Sequence, residues 1–443
     1  MKKAIKVIVS LLVMAVVFLC GLKGLRYIVT DDTASYTRIM MHEFYQQDEN
    51  VDVLFMGASH CYRSFIPSVL DEKFGVNTFN LGSSSQQLDS TLLLLKEAVS
   101  KYDIKKVYVD LSYNQAIQTE YVHDNLQSTY LVTDYMKPSF RKYSFLLGAS
   151  KADYYGNSFL IARRDWQQLF DAEYVAILME KKNTKAYKEY EYDYVINDAE
   201  EYAGKGYVAA KKQIAHGGYV TTDTFEPIDT GKVTSDWREI LLDMIDYCKE
   251  HNIEITLLST PVTSFLCESY GNYDEYIEFV DNLIKDTGVR YIDFNLMKED
   301  YWPDTSTNFK DDNHLNQYGA ELFSDIFARY INGEIKDDQL FYGSMKEKSE
   351  TMAAAVYGLR CVEDEKDDTL LRRCTIVSNR MGSMEYRITV TPDDEDGYLV
   401  QEFSENDEFT VPGDKKGICT VEYREKDEPE NIQKVKIRYK ALS

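Results

Sequence analysis

This sequence of 443 residues is short of cysteine, of basic residues relative to acidic ones, and of ready-made metal or phosphate motifs. Its seven cysteines, Cys20, Cys61, Cys248, Cys267, Cys361, Cys374 and Cys419, are odd in number and form no Cys-x-x-Cys pair. That argues against a zinc site and against a dense disulfide framework, and leaves one bond open, from Cys361 to Cys374 or Cys419. Lys and Arg number 50 against 74 Asp and Glu, for a formal charge of −24. So acidic a chain repels polyanions, which excludes general nucleic-acid binding. There is no P-loop and no acidic or histidine cluster with ligand spacing, so neither a cofactor nor a metal is expected. The acidic turn Asp393-Asp394-Glu395-Asp396-Gly397 lacks the EF-hand pattern and reads as solvated. Disorder is excluded as well, because hydrophobic residues make up 44% of the chain and tyrosines number 35. The length allows two or three domains.

One long apolar run is present. Met1-Lys2-Lys3-Ala4-Ile5-Lys6 is a basic start, Val7 to Leu22 is almost wholly apolar, and Lys23 and Arg26 end it. With its flanks the stretch approaches the ~20 residues that span a bilayer. A cleaved signal peptide would look similar, but no Ala-x-Ala site follows, and Leu19 precedes Cys20 where a lipoprotein signal needs a small residue. The favoured reading is an uncleaved, single-pass membrane anchor over 1–29 with the remainder exported. Residues 30–49 then read as a polar, helix-compatible stalk.

The rest of the chain is organised around Val51–His60. Val51 to Met56 is a short apolar run that reads as a buried strand, and Gly57-Ala58-Ser59 turns out of it. Cys61 to Phe74 follows with helical spacing. A serine at such a turn stands before outward-pointing N–H groups with a helix dipole behind them. Those donors suit an oxyanion. The plain alternative is an N-cap serine in an ordinary turn. Cys61 reads as a buried apolar residue rather than a second nucleophile.

Strands at 77–81, 106–111, 253–259 and 291–294 alternate with helices at 87–102, 237–250 and 273–287. That rhythm implies an α/β fold with a five-stranded, doubly wound parallel sheet. Ligands of such sheets bind beyond the carboxyl ends of the strands, where Ser59, Gly82 and Asn114 would all lie. After the last strand comes Asp311-Asp312-Asn313-His314. An aspartate three residues before a histidine can orient the imidazole and leave its other nitrogen free as a base.

The two blocks together resemble the SGNH (GDSL-like) hydrolase superfamily. Gly57-Ala58-Ser59-His60 is similar to its first block, with Ala58 where many members have Asp. Asn80-Leu81-Gly82-Ser83-Ser84-Ser85-Gln86 resembles the second, and Asp311 with His314 the last. The third block, Gly-x-Asn-Asp, is absent in that form; Asp110-Leu111-Ser112-Tyr113-Asn114 takes its place. The resemblance implies a flavodoxin-like fold over 50–335, a Ser59–His314–Asp311 triad, and an oxyanion hole from the N–H groups of Ser59 and Gly82 with Asn114.

Residues 113–235 break the rhythm and read as an insertion of helices and loops overhanging the active edge. Its tyrosines are expected mostly to pack, and His216 reads as a solvent-exposed loop residue. Residues 344–443 alternate polar and apolar, as in a small all-β sandwich. The whole layout resembles D-alanine-to-teichoic-acid transfer proteins and related cell-surface polysaccharide acyltransferases. That likeness implies acyl transfer or removal, O-acetyl or D-alanyl in kind, on a cell-envelope glycan or polymer, with a membrane-bound O-acyltransferase as partner. The competing reading is a catalytically silent, membrane-tethered scaffold or glycan-binding protein that works through its β domain.

Overall fold

The structure is a computed structural model that describes residues 2–117, 126–159, 166–191, 195–197, 199–211, 219–221, 226–303, 306–366 and 369–440. The loop histidine His216 lies outside the described residues. Five strands form the central sheet: β1 (Val53–Met56), β2 (Thr78–Asn80), β3 (Lys106–Asp110), β4 (Glu254–Ser259) and β5 (Arg290–Asp293). Every pairing is parallel, in the order β2-β1-β3-β4-β5. Strands covered on both faces need apolar side chains on both, which explains the unbroken run at 53–56. Leu54, Met56, Val107, Val109 and Leu257 point into one core. Val53, Phe55, Tyr108, Leu258 and Ile292 point into the other.

Helix α1 (Lys2–Val29) carries the apolar run, and its side chains from Ile5 to Leu19 are exposed. It is long and apolar enough to cross a membrane. Helix α2 (Tyr36–Tyr45) corrects the expected stalk over 30–49. Ile39, Met40, Met41 and Phe44 form an apolar face buried in the first core, so this segment is part of the α/β body. The single helix expected over 61–74 is two, α3 (Ser59–Ser64) and α4 (Pro67–Phe74). Pro67 starts the second because it has no N–H to give to the first. Helices α5 (Leu88–Val99), α6 (Ser235–Glu250) and α7 (Asp274–Ile284) cover the first face; α8 (Gln317–Ile331) covers the second with Phe323 and Phe327.

The insertion contains helices, as expected, but also a three-stranded antiparallel sheet, Val195–Asn197, Glu200–Gly204 and Tyr207–Ala210. A further short strand from it, Tyr219–Thr221, pairs in parallel with Gly358–Arg360 of the C-terminal region. That region is two antiparallel sheets, apart from this one parallel strand, around a shared core. Cys361 and Cys374 sit opposite each other on adjacent strands and are disulfide-bonded, while Cys419 is free and buried. The acidic turn is answered by cations: Asp393 pairs with Arg438 at 2.7 Å and with Lys416 at 3.7 Å. No metal-ligand cluster occurs among the described residues.

Candidate active site

The strand order reverses between β1 and β3, and the site is built there, beyond their carboxyl ends. β1 is buried and paired on both edges, to β2 and β3, which anchors the turn after it. Gly57 leaves the strand at φ +149°, and a Cβ there would lie 2.9 Å from Asp110 Cβ. Only glycine combines that backbone with that approach. Ser59 then opens α3, where helix geometry leaves its N–H without an intrahelical partner.

The Asp311–His314 loop is fixed from three sides. Lys310 N–H donates to the His314 carbonyl at 2.9 Å, closing the loop on itself. The Asn316 side chain caps α8, accepting from the N–H groups of Tyr318 and Gly319. Thr263, just past β4, donates from Oγ1 to the Asp312 carbonyl at 2.6 Å.

These constraints bring together residues 255 positions apart. His314 Nε2 is 2.7 Å from Ser59 Oγ, and His314 Nδ1 is 2.8 Å from Asp311 Oδ1. Asp311 Oδ1 also accepts from the backbone N–H groups of His314 at 2.8 Å and Asn313 at 3.2 Å. Burial would raise the Asp311 pKa, but the His314 hydrogen bond and charge, the Asn313 N–H and nearby Lys310 outweigh it and bring it down to about 2. An ionised Asp311 accepts only, so Nδ1 carries the imidazole proton and Nε2 is left to accept from the Ser59 hydroxyl. Such an arrangement can deprotonate the serine and stabilise the imidazolium that results.

The expected oxyanion donors fare differently. The Gly82 N–H is already engaged, donating to Asn80 Oδ1 at 2.9 Å. Asn80 also donates from Nδ2 to the Cys61 carbonyl at 2.9 Å, so it ties the loop at 80–82 to α3. In this conformation the Gly82 N–H is therefore committed to Asn80. Asn114 accepts at Oδ1 from the Tyr270 hydroxyl at 2.9 Å, which fixes its amide and leaves the NH2 side available. Asn114 lines a small cavity with His60, Asp110, Thr260, Tyr270 and Asn313. Cys61 is fully buried, and burial holds its thiol well above the usual range, as befits a packing residue.

Four neighbours were not legible as site residues. His60 lies 5.1 Å from the His314 ring, centroid to centroid. Burial, with the His314 and Arg63 charges, lowers its pKa to about 3 against the pull of Asp311, so it is neutral beside the triad. Asp110 ends β3 and accepts at Oδ1 from the Thr260 N–H and hydroxyl, each at 3.0 Å, while Oδ2 is buried without a partner among the described residues. Glu200 comes from the insertion and bonds at Oε1 to Arg63 at 2.5 Å and to Lys310. Asn80 completes the set. Only its place in the second block pointed to it; Glu200 lay in a charged, tyrosine-dense run with no period to read.

No protein-family profile and no curated protein matches the chain. Among solved structures, a Streptococcus pneumoniae protein named for platelet activating factor is 13% identical, over 72% of this chain and 99% of its own, with a TM-score of 0.31. A GDSL-like lipase from Bacteroides thetaiotaomicron is 10% identical, over 68% of this chain and 100% of its own, with a TM-score of 0.32. A Desulfitobacterium hafniense protein of the G-D-S-L lipolytic family is 11% identical, over 63% of this chain and 99% of its own, with a TM-score of 0.30. Likeness at these TM-scores carries no argument about activity, and the site stands on its own distances.

Proposed function

We propose that the chain is a membrane-anchored, extracytoplasmic serine acyl enzyme. It transfers or removes ester-linked acyl groups, O-acetyl or D-alanyl in kind, on a cell-envelope polysaccharide or teichoic-acid-like polymer. The observation that carries this reading is the unbroken hydrogen-bonded line from Ser59 Oγ through His314 to Asp311. Ser59 Oγ attacks the ester carbonyl carbon while His314 Nε2 takes its proton. The carbon–oxygen bond to the leaving alcohol then breaks, and His314 returns the proton to that oxygen. Water or a polymer hydroxyl attacks the acyl-Ser59 ester by the same route in reverse.

The oxyanion is met by the Ser59 N–H and the Asn114 amide; recruiting the Gly82 N–H requires breaking its bond to Asn80. Each donor of this kind is worth about 3 kcal/mol in the barrier. The exported placement is supported by the apolar α1 and by the Cys361–Cys374 bond, which belongs in an oxidising compartment. A membrane-bound O-acyltransferase fits as the source of acyl groups.

The test incubates the protein with p-nitrophenyl acetate and follows intact mass. An acetyl adduct on the wild type and none on Ser59→Ala is expected, with turnover hastened by a glycan acceptor if transfer is the physiological outcome. Absence of both adduct and product release across several acyl esters would leave the tethered-scaffold reading in its place.

A further inference from the structure

Lys23 and Arg26 end the apolar run, yet in a single-pass anchor with an exported body they stand on the side where basic residues are scarce. The fold gives them a setting. They line a groove of about 460 Å3 beside the end of α1, with Arg38 and His42 of α2 and with Lys137 and Lys182 of the insertion. Tyr27, Tyr45, Tyr135, Tyr187 and Tyr190 form the remaining walls with Asp32 and Asp134. Five cations thus gather around two carboxylates in a chain whose formal charge is −24.

The groove is built, not a loose surface cluster. Lys182 is 1% exposed; its ammonium donates to the Tyr27 and Thr30 carbonyls at 2.6 and 2.5 Å and pairs with Asp32 at 3.1 Å. It caps the carboxyl end of α1, where a cation is favoured, and locks that helix to the body. The Arg38 guanidinium lies between the Tyr187 and Tyr190 rings, 3.7 and 3.9 Å from their centroids, and also pairs with Asp32 at 3.6 Å. Asp32 is therefore used up within the wall. Lys23 and Lys137 are exposed, and neither pairs with a carboxylate among the described residues; Lys137 lies 4.5 Å over the Tyr45 ring. Two exposed ammonium groups thus line the groove outside the Asp32 ion pairs.

Depth selects the ligand. The helix rises roughly 30 Å from Lys6 to Arg26, the thickness of the hydrocarbon core, so Arg26 and Tyr27 emerge at the level of lipid headgroups and the long Lys23 side chain reaches up to it. Tyrosines and lysines are the residues that settle at that interface, and a basic pocket beside a spanning helix takes an anionic headgroup. We infer that this groove binds the phosphodiester headgroup of an anionic membrane lipid, held by Lys23 and Lys137 with Arg26 beside them. The inference rests on α1 as a membrane span, and not on the chemistry at Ser59. Detergent-phase partitioning of the full chain tests the span separately from any lipid preference.

The experiment is native mass spectrometry of the full chain in nonionic detergent, titrated with phosphatidylglycerol or phosphatidylcholine. One phosphatidylglycerol per chain is expected, retained roughly tenfold or more better than phosphatidylcholine. Lys23→Gln/Lys137→Gln is expected to bring retention down to the phosphatidylcholine level. Lys3→Gln/Lys6→Gln, at the far end of α1, is expected to leave it unchanged. Circular dichroism melting confirms that both variants fold. Equal retention of the two lipids would overturn the inference, as would loss in the Lys3→Gln/Lys6→Gln control. Displacement of the lipid by millimolar inorganic phosphate would assign the groove to a free phosphate and overturn the lipid assignment.

Discussion

His314 is held at both ring nitrogens, and the two bonds have different consequences. The bond to Asp311 sets the tautomer, and the bond to Ser59 uses it. Asp311→Asn keeps an acceptor at the Oδ1 position but removes the negative charge that stabilises the imidazolium. It is expected to lower kcat by about 10^3–10^4-fold with KM little changed, measured on a chromogenic ester. Asn114→Ala is expected to cost about 10^2-fold in kcat, and Tyr270→Phe less, because Tyr270 only aims the amide. Asp110 carries a pH signature instead. Burial, opposed by the Thr260 bonds and reinforced by Asp293, pushes its carboxyl from 3.8 up to about 7. The unfolded chain releases that proton near 3.8 and the folded chain near 7, so the folded state loses stability as pH rises across this window and no further above it. The span corresponds to at most roughly 4 kcal/mol. The melting point of Asp110→Asn relative to wild type is therefore expected to rise between pH 4.5 and pH 7.5; a constant difference would exclude a neutral Asp110.

Among the elements, the hairpin Glu200–Gly204/Tyr207–Ala210 has the largest effect that the sequence did not announce. Its Glu200 joins Arg63, on the helix that Ser59 opens, to Lys310, which precedes Asp311. One carboxylate thus fastens the Ser59 side of the site to the Asp311–His314 side. Arg63 is 5% exposed, so Glu200→Gln leaves a buried guanidinium short of its counter-charge. It is expected to destabilise the fold by about 3 kcal/mol in chemical denaturation and to lower kcat, since the Ser59–His314 distance loses its brace. The sequence reading missed this pair because a tyrosine-dense, charged run has no period of two. Helix α2 reads as part of a stalk in the sequence for a related reason. Its polar residues looked like a stalk, and Met40, Met41 and Phe44 were a core face only once a sheet stood opposite them. The central strands were legible because each is buried on both sides and so is apolar throughout.

At the scale of the whole molecule, the C-terminal β region is knitted to the α/β body. Tyr219–Thr221 extends its sheet, and Asp274 on α7 accepts from the backbone N–H groups of Met345 and Lys346. Removing 344–443 is therefore expected to lower the thermal midpoint of what remains and to promote aggregation in light scattering. That deletion alone would not separate an enzyme from a scaffold; Ser59→Ala does. The Cys361–Cys374 bond closes a loop of sequence separation 13, for which chain entropy predicts about 3 kcal/mol. Reduction is expected to shift the denaturant midpoint of the β region accordingly, with Cys419 unreactive until unfolding because it is buried.

The sequence by itself determined the apolar α1, the five buried strands, the turn at Ser59 and the Asp311–His314 spacing. These are local properties: burial on both faces, a glycine where the backbone needs one, and a carboxylate within reach of its own loop. Only the tertiary structure decided that Ser59 and His314 meet, that Gly82 is turned toward Asn80, that Glu200 braces the site, and that Lys23 faces Lys137 across a groove. Each of these depends on residues more than a hundred positions apart, or on which of two partners a single N–H chooses, and no periodicity in the chain encodes such a choice.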